Sequence, residues 1–279
     1  MSILVDERTR LLVQGITDPN GAEYTHRCLI YGTKIVAGIA PGKAGEKFEN
    51  RVPLFDSVAQ AVQQARATAS LVFGPADAAG KAVLEAAEAG LKVIVCTSDG
   101  VSADVVSKVG KELLDKESFL IGPNSPGVIS PLRALAGTMS DDGYIMGIVG
   151  MLFRGSKAPF SAVAALSQAG IGQSTCIGLG EGPVTGTPFS AVLPLFERDL
   201  QTRMILIVDE MGDGGGVATA ESIKASVTKP VVAFISSGND GAAEALRAAG
   251  VTVVGDPDGI LPAVRRVVAD FSLMAVDDI

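Results

Sequence analysis

Tryptophan is absent, histidine occurs once, and aromatic residues make up 5% of the chain. The single histidine, His26, rules out imidazole-rich metal cages, and any step that needs an imidazole has to run through that one side chain. The three cysteines, Cys28, Cys96 and Cys176, are odd in number and far apart. They define neither a disulfide framework nor a zinc spacing, so no metal site is assigned and a reducing, cytoplasmic setting is expected. Positive charge is also short, with 23 Lys and Arg against 31 Asp and Glu, a net charge of −8. That balance argues against non-specific binding to nucleic acid or anionic membrane, while leaving room for a local basic pocket. No apolar run approaches the roughly 18 residues that span a bilayer. The opening MSILVDERTR turns charged too soon to read as a signal peptide. Neither a GxGxxG fingerprint nor a P-loop is present.

What is present is a regular alternation. Short β-branched runs at Arg10–Gln14, Lys34–Ile39, Ala69–Phe73, Lys92–Cys96 and Phe119–Ile121 are separated by Ala-rich helical stretches at Gly21–Tyr31, Ser57–Ala65, Gly80–Ala89 and Val101–Asp115. After Ser140 the alternation restarts, from a strand at Ile145–Val149 to a helix at Pro257–Ala269. Repeated strand–helix–strand units with short loops predict parallel sheets covered on both faces. Two such series, parted by what reads as a loop over Gly122–Gly143, predict two domains, residues 1–140 and 141–279. The fold class expected is α/β, with a Rossmann-like domain followed by a flavodoxin-like one.

Ligands of open α/β sheets bind beyond the carboxyl ends of the strands. The segments after the first five strands are Gly15–Gly21, Ala40-Pro41-Gly42-Lys43, Gly74-Pro75-Ala76, Thr97-Ser98-Asp99-Gly100 and Gly122-Pro123-Asn124-Ser125-Pro126-Gly127. The first is a polar turn at a helix start, suited to a phosphate and equally to an ordinary capped connection. Lys43 on its Pro-Gly turn can meet a phosphate, although most surface lysines are simply solvated. Five consecutive turn motifs on one rim point to a ligand without naming it. The loop IGPNSPGVISP, with no evident helix or strand pattern, needs something docked against it to hold one shape.

Several ordered motifs resemble the α subunit of succinyl-CoA synthetase, a nucleoside-diphosphate-forming acyl-CoA ligase. They include Gln14-Gly15-Ile16-Thr17, Tyr31-Gly32-Thr33-Lys34, Pro41-Gly42-Lys43, Ile121-Gly122-Pro123-Asn124 with Pro126-Gly127-Val128-Ile129, Gly172–Gly178, and Thr228-Lys229-Pro230-Val231-Val232. The resemblance covers nearly the whole chain. It implies a CoA-binding domain, then a ligase domain, and a partner β subunit with an ATP-grasp fold. That partner would use ATP or GTP with Mg, and the pair would activate a small carboxylic acid as a hetero-oligomer. Carried over by residue, CoA contacts fall on Thr17, Asp18, Pro19, Asn20, Lys43, Thr97, Ser98 and Asp99. Pro41 and Pro75 line the adenine and pantetheine path, and Asn124 and Pro126 lie near the thiol.

The departures are as informative. Asp18 stands where the family has glycine, and Pro19 removes an N–H; both weaken a pyrophosphate site. Ser125 replaces a cysteine. The family's phosphohistidine segment is missing: Val231–Ile235 runs through Ser236–Gly241 straight into a helix. His26, on the first helix of the other domain, reads as a surface or interface histidine. Arg154, Gly155, Ser156 and Lys157 open a helix that can hold an anion, or form a capped helix with two solvated charges. Glu210, in Asp209-Glu210-Met211-Gly212-Asp213, resembles the glutamate that supports the phosphohistidine. It is the catalytic candidate, as an acid or base, or else a relic. Three carboxylates beside glycines also attract a divalent cation, although chance composition at a strand end is commoner. The expected function is a CoA-binding α-type ligase subunit without a phosphohistidine relay. The alternatives are a non-catalytic CoA-binding scaffold and an acyl or carbamoyl transferase subunit.

Overall fold

A computed structural model describes residues 2–113, 118–155, 157–181, 185–210, 215–236 and 238–274. The chain divides into an N-terminal unit, Leu4–Asp141 with Ile177–Thr187, and a C-terminal unit of Asp142–Cys176 and the chain from Pro188.

In the N-terminal unit the five β-branched runs become β1 (Leu11–Gln14), β2 (Ile35–Ile39), β5 (Ala69–Val72), β6 (Val93–Cys96) and β7 (Phe119–Ile121), and two short strands, β3 (Lys47–Phe48) and β4 (Val52–Phe55), lie between β2 and β5 in the chain. They lie in the order β3-β4-β2-β1-β5-β6-β7. All pairs are parallel except β3 with β4. From β4 to β7 this is the doubly wound Rossmann order, and it reverses at β1. The helices are α1 (Pro19–Ile30), α2 (Val58–Ala65), α3 (Ala76–Glu88) and α4 (Ala103–Leu113). Every residue of β1, β5 and β6 is buried, as strands covered by helices on both faces require. Leu12, Val72, Val83, Ala86, Leu91 and Ile94 belong to one core cluster. Cutting Ile94 to Ala there should cost about 2–5 kcal/mol.

The loop read over Gly122–Gly143 is corrected by the structure. It contains β8 (Gly127–Ser130) and β9 (Ala134–Gly137), an antiparallel hairpin in which Gly127 faces Gly137. A side chain on either glycine would strike the facing backbone. The Pro-Gly punctuation that hid the hairpin is therefore what lets its strands meet. The short β3 and β4 also escaped the sequence pattern, since Pro53 and the brevity of both runs obscure them. Helix α1 starts two residues earlier than expected, because Pro19 fits the first helical position. The expected end of the fourth helix, at Asp115, lies outside the described residues.

The C-terminal unit contains β10 (Met146–Arg154), α5 (Lys157–Gln168), β11 (Gln173–Gly178), α6 (Phe189–Arg198), β12 (Met204–Asp209), α7 (Gly216–Ser226), β13 (Val231–Ile235), α8 (Asp240–Ala248), β14 (Thr252–Val254) and α9 (Ile260–Met274). The order β14-β13-β12-β10-β11 is flavodoxin-like and reverses between β10 and β12. Strand β10 is longer than expected because two glycines broke its pattern. Gly150 leaves room for the Phe196 ring, and Gly147 for the backbone at Gly172.

Candidate functional site

The reversal in the N-terminal sheet places the ends of β1, β5 and β6 around a pocket of about 600 Å³. It is lined by Asp18, Pro19, Asn20, Phe73, Gly74, Pro75, Thr97, Ser98 and Asp99. The walls are tight where glycine is required. A methyl group on Gly15 (φ +75°) would lie 2.7 Å from the Phe73 carbonyl oxygen. One on Gly21 would run into the Gly15 carbonyl. These two glycines seat the start of α1 against the β1 turn. Tyr24 of α1 stacks on Phe73, with ring centroids 6.0 Å apart.

Two helices begin at this pocket, and among the described residues no side chain caps either. Asp18 precedes α1 and Pro75 precedes α3, each without a capping bond. Away from the pocket the same unit does cap its helices. Ser57 Oγ accepts from Gln60 N at the start of α2 (3.3 Å), and Ser102 Oγ from Val105 N at the start of α4 (3.4 Å). The free N–H groups and the positive dipole ends of α1 and α3 favour an anion. Ser98 is buried, and its hydroxyl has no hydrogen-bond partner among the described residues. Such an orphan costs free energy until a ligand or water satisfies it. The Thr97 hydroxyl is already committed to Val72 O, at 2.9 Å. Charge on the pocket wall is unfavourable to a phosphate: Asp18 and Asp99 face it, with no Lys or Arg among its described lining residues.

Seven sequence-predicted contacts thus share one pocket: Asp18, Pro19, Asn20, Pro75, Thr97, Ser98 and Asp99. Thr17, Pro41, Lys43, Asn124 and Pro126 are not among its lining residues. Lys43 and Pro41 are exposed on the turn after β2, which Asp56 holds by accepting from Gly42 N at 2.7 Å. Sequence reasoning placed Gly74 in the rim turn after the third strand without assigning it a contact, and it missed Phe73. Their signal was position alone, directly after β5.

The loop after β7 is held by its own unit. Asn124 N donates to Ser98 O (2.9 Å) and Ser125 N to Cys96 O (3.2 Å), which lays the loop across the end of β6. Ser125 Oγ donates to Gly178 O (2.6 Å), Glu181 N to Asn124 O (3.1 Å) and Gly186 N to Gly122 O (2.8 Å). Among the described residues, what docks on this loop is therefore residues 177–181 and 185–187. Asn124 takes φ +51°, and the Gly122–Pro123 bond is cis.

In the C-terminal unit the reversal sets Arg154, at the end of β10, beside Asp209, at the end of β12. Glu210 N donates to Arg154 O at 3.0 Å. The Glu210 carboxylate then turns onto the start of α5, accepting from Lys157 N on Oε2 (3.0 Å) and from Ala158 N on Oε1 (2.9 Å). Gly155, at φ +102°, leaves space that a Cβ would take from the Glu210 side chain. Of the expected anion residues, Arg154, Gly155 and Lys157 thus surround a helix start that already has its anion. Ser156 lies outside the described residues, as do Met211, Gly212 and Asp213. His26 pairs with Glu49 at 3.2 Å on the surface of the N-terminal unit. Burial pushes the thiols of Cys28 and Cys96 up to about 11, and that of Cys176 higher still. These are inert packing residues.

Comparison with known proteins agrees with the fold. Residues 6–100 match the CoA binding domain family, and residues 152–259 the CoA-ligase family. Succinate–CoA ligase [ADP-forming] subunit alpha 2 of Archaeoglobus fulgidus is 43% identical over 236 residues, covering 85% of this chain and 82% of the relative. Subunit alpha 1 of the same organism is 38% identical over 96% of this chain and 98% of its own length. The Staphylococcus aureus α subunit is 40% identical over 84% and 78%. Among solved structures, ATP citrate lyase from Methanothrix soehngenii, in complex with citrate and coenzyme A, superposes with a TM-score of 0.87 at 19% identity. That match takes in 98% of this chain, which spans about half (52%) of the longer one. The agreement in fold, both domain families and full-length relatives leads to one conclusion: the chain belongs to the succinate–CoA ligase α-subunit family.

Proposed function

We propose that this chain is the CoA-binding α subunit of an acid–CoA ligase, working with a β subunit to form a thioester at the expense of a nucleoside triphosphate. The observation that carries the reading is the pocket at the β1–β5–β6 strand ends, with its two uncapped helix starts and the unpartnered Ser98 hydroxyl. CoA, when bound, supplies the thiol that becomes acylated. The chain's own groups do the rest. First-turn N–H groups of α1 and α3 hold the diphosphate, and Ser98 donates to one of its oxygens. Phe73, Pro75, Asn20 and Thr97 wall the path, with Thr17 and Pro19 at its mouth. Pro41 and Lys43 take the adenosine end and its phosphate. Asn124 and Pro126 orient the thiol end. We assign residues 1–140 to the CoA-binding domain and 141–279 to the ligase domain.

The β subunit has an ATP-grasp fold in this reading. It binds ATP or GTP with Mg and the small carboxylic acid, and the hetero-oligomer works in the cytoplasm. A phosphohistidine relay through this chain would need an imidazole near the C-terminal site, and the only histidine is His26. The acid is therefore activated and captured by CoA without a phosphorylated α subunit. A second reading, a CoA-binding subunit without catalysis, is favoured by the engagement of both Glu210 oxygens with α5. Among the described residues, no helix is long and apolar enough to cross a membrane.

Calorimetry with CoA on the chain, alone and with its β subunit, tests the pocket. Ser98→Ala should lower affinity by about tenfold, the loss expected for one hydrogen bond to a charged group. Absence of binding in both preparations refutes the site. Acid- and CoA-dependent ATP turnover by the complex separates the ligase from the scaffold. Labelled phosphate recovered on His26 would restore the relay.

A further inference from the structure

Phe73 is the one aromatic among the described residues that line the pocket at the β1–β5–β6 strand ends. Its main chain is fixed. Phe73 N donates to Gln14 O at 3.1 Å, and its carbonyl lies against Gly15. A phenyl ring has no polar handle, so its orientation is set by what packs on it. Here that is Tyr24 of α1, whose ring lies within 6° of parallel. Tyr24 is half-buried, and among the described residues its hydroxyl makes no hydrogen bond. Its ring is therefore held by neighbours as well. Three residues on, along the same side of α1, the Arg27 guanidinium carbon lies over that ring, 5.3 Å from its centroid. Arg27 is itself tethered: Nη2 donates to Met139 O at 3.4 Å and lies 3.7 Å from Asp141 Oδ1. Three side chains thus run in contact from an anchored cation to the pocket wall.

We propose that Arg27 is a positioning residue of the pocket: acting through Tyr24, it holds the Phe73 ring as a wall already in place when CoA arrives. The role rests on the reading of this pocket as the CoA site. Its physical basis is preorganisation. A ring free to turn in the empty pocket has to be ordered by the ligand, and that cost is subtracted from affinity. A ring stacked on a second ring, which a cation attracts in turn, is ordered beforehand. Arginine suits the task where lysine does not. A guanidinium can lie on an aromatic face and still donate from its edge to a carbonyl, as Arg27 does to Met139 O. Arg27 is not among the pocket's lining residues, so its influence passes through Tyr24 and Phe73 rather than by contact with the ligand.

The test is calorimetry with CoA on the full chain, joined to NMR of the Phe73 ring protons without ligand. Arg27→Ala should weaken CoA binding about threefold to fivefold, the size of one surface cation–ring contact. Arg27→Lys keeps the charge without the flat stack and should recover only part of the loss. It carries the test should the alanine variant misfold. Tyr24→Phe keeps the ring and should bind CoA as the unsubstituted chain does, whereas Tyr24→Leu should lose about tenfold. The deciding measurement is a double-mutant cycle: in the Phe73→Leu background, Arg27→Ala should cost no further affinity, because the ring it orders is gone. In the ligand-free NMR spectrum, Arg27→Ala should move the Phe73 ring signals toward those of an unstacked phenyl group. CoA affinity unchanged in Arg27→Ala, or an equal loss with and without the Phe73 ring, would overturn the proposal and leave the CoA site standing. Phe73 signals unmoved by Arg27→Ala would overturn it too. Absence of CoA binding by the unsubstituted chain, alone and with its β subunit, would instead refute the site, and this role with it.

Discussion

Each sheet turns helix starts toward the point where its strand order reverses, yet the two units treat them in opposite ways. In the N-terminal unit α1 and α3 begin uncapped, and Ser98 leaves a buried hydroxyl beside them. In the C-terminal unit α5 begins under the Glu210 carboxylate. The local architecture is the same, a parallel strand, a tight turn with a glycine at positive φ, and a helix. The difference lies in whether the chain supplies its own acceptor. An unfilled helix start beside an orphan donor is what a site for an anionic ligand needs. A filled one is what a stable fold needs. The unit that leaves its helix starts uncapped is the one proposed to hold CoA.

The largest effect should come from destroying the open site's frame. Gly21→Ala would push a methyl group into the Gly15 carbonyl, where backbone cannot yield cheaply. A loss of about 3 kcal/mol in stability is expected from overpacking of this kind. Urea unfolding should show it as a lower midpoint, with CoA binding lost. Gly155→Ala is the matching change in the closed site. It should displace the Glu210 side chain and uncover α5 rather than abolish the fold of the other unit. If Gly21→Ala binds CoA normally, the open pocket is not the CoA site.

The next effect sharpens the electrostatics. Asp18 places a negative charge among the lining residues of the pocket proposed to receive the diphosphate of CoA. Asp18→Asn keeps the shape, so CoA should bind about tenfold tighter at low salt, with the gain shrinking as ionic strength rises. Isothermal titration at two salt concentrations measures both numbers. Unchanged affinity would mean that the diphosphate lies away from the start of α1. Lys43→Ala should do less. Lys43 is exposed and outside the pocket's lining, so its contact with a phosphate would be screened and worth about 0.5–1 kcal/mol.

Much of this contrast could be read in the sequence, and the unread part has physical causes. The alternation of β-branched runs with Ala-rich stretches gives parallel sheets directly, because strands covered on both faces must be apolar throughout. The turn residues after β1, β5 and β6 fell on one rim for the same reason. The β8–β9 hairpin stayed hidden because its glycines, needed for close strand approach, look like loop punctuation. The docking of Ile177–Thr187 on the Asn124 loop could not be read, because nothing local in either segment encodes the other. Glu210 was legible as a carboxylate at a strand end, but its partner is the backbone of a helix more than fifty residues earlier. Composition cannot show whether a helix start is vacant or filled. That depends on one side chain's reach.

The smallest effect concerns pH, and it divides the units. Glu197, near the end of α6, is partly desolvated, which would raise its pKa. Hydrogen bonds from the Thr228 hydroxyl and from Lys229 N and Thr228 N outweigh that, and hold it below the ordinary value of 4.5. A carboxylate depressed in the folded state stabilises the fold above its unfolded pKa, and that contribution drains away as pH falls through the folded pKa. Stability should therefore fall from about the ordinary glutamate value downward, and Glu197→Gln should remove part of that fall. Because Glu197 is half-buried at the surface, solvent screening keeps the effect small. Asp6 in the N-terminal unit behaves likewise: burial works to raise it, while Arg8 and Thr9 hold it below 3.8. Thermal unfolding of the two single variants, Glu197→Gln and Asp6→Asn, followed from neutral to acid pH, separates the contributions. With CoA present, binding protects the unit that holds it by mass action. The transition that Asp6→Asn shifts should then rise, while the one that Glu197→Gln shifts stays in place if the two units melt separately. An equal rise of both would mean that the units unfold as one, so that the open and closed sites share a single stability.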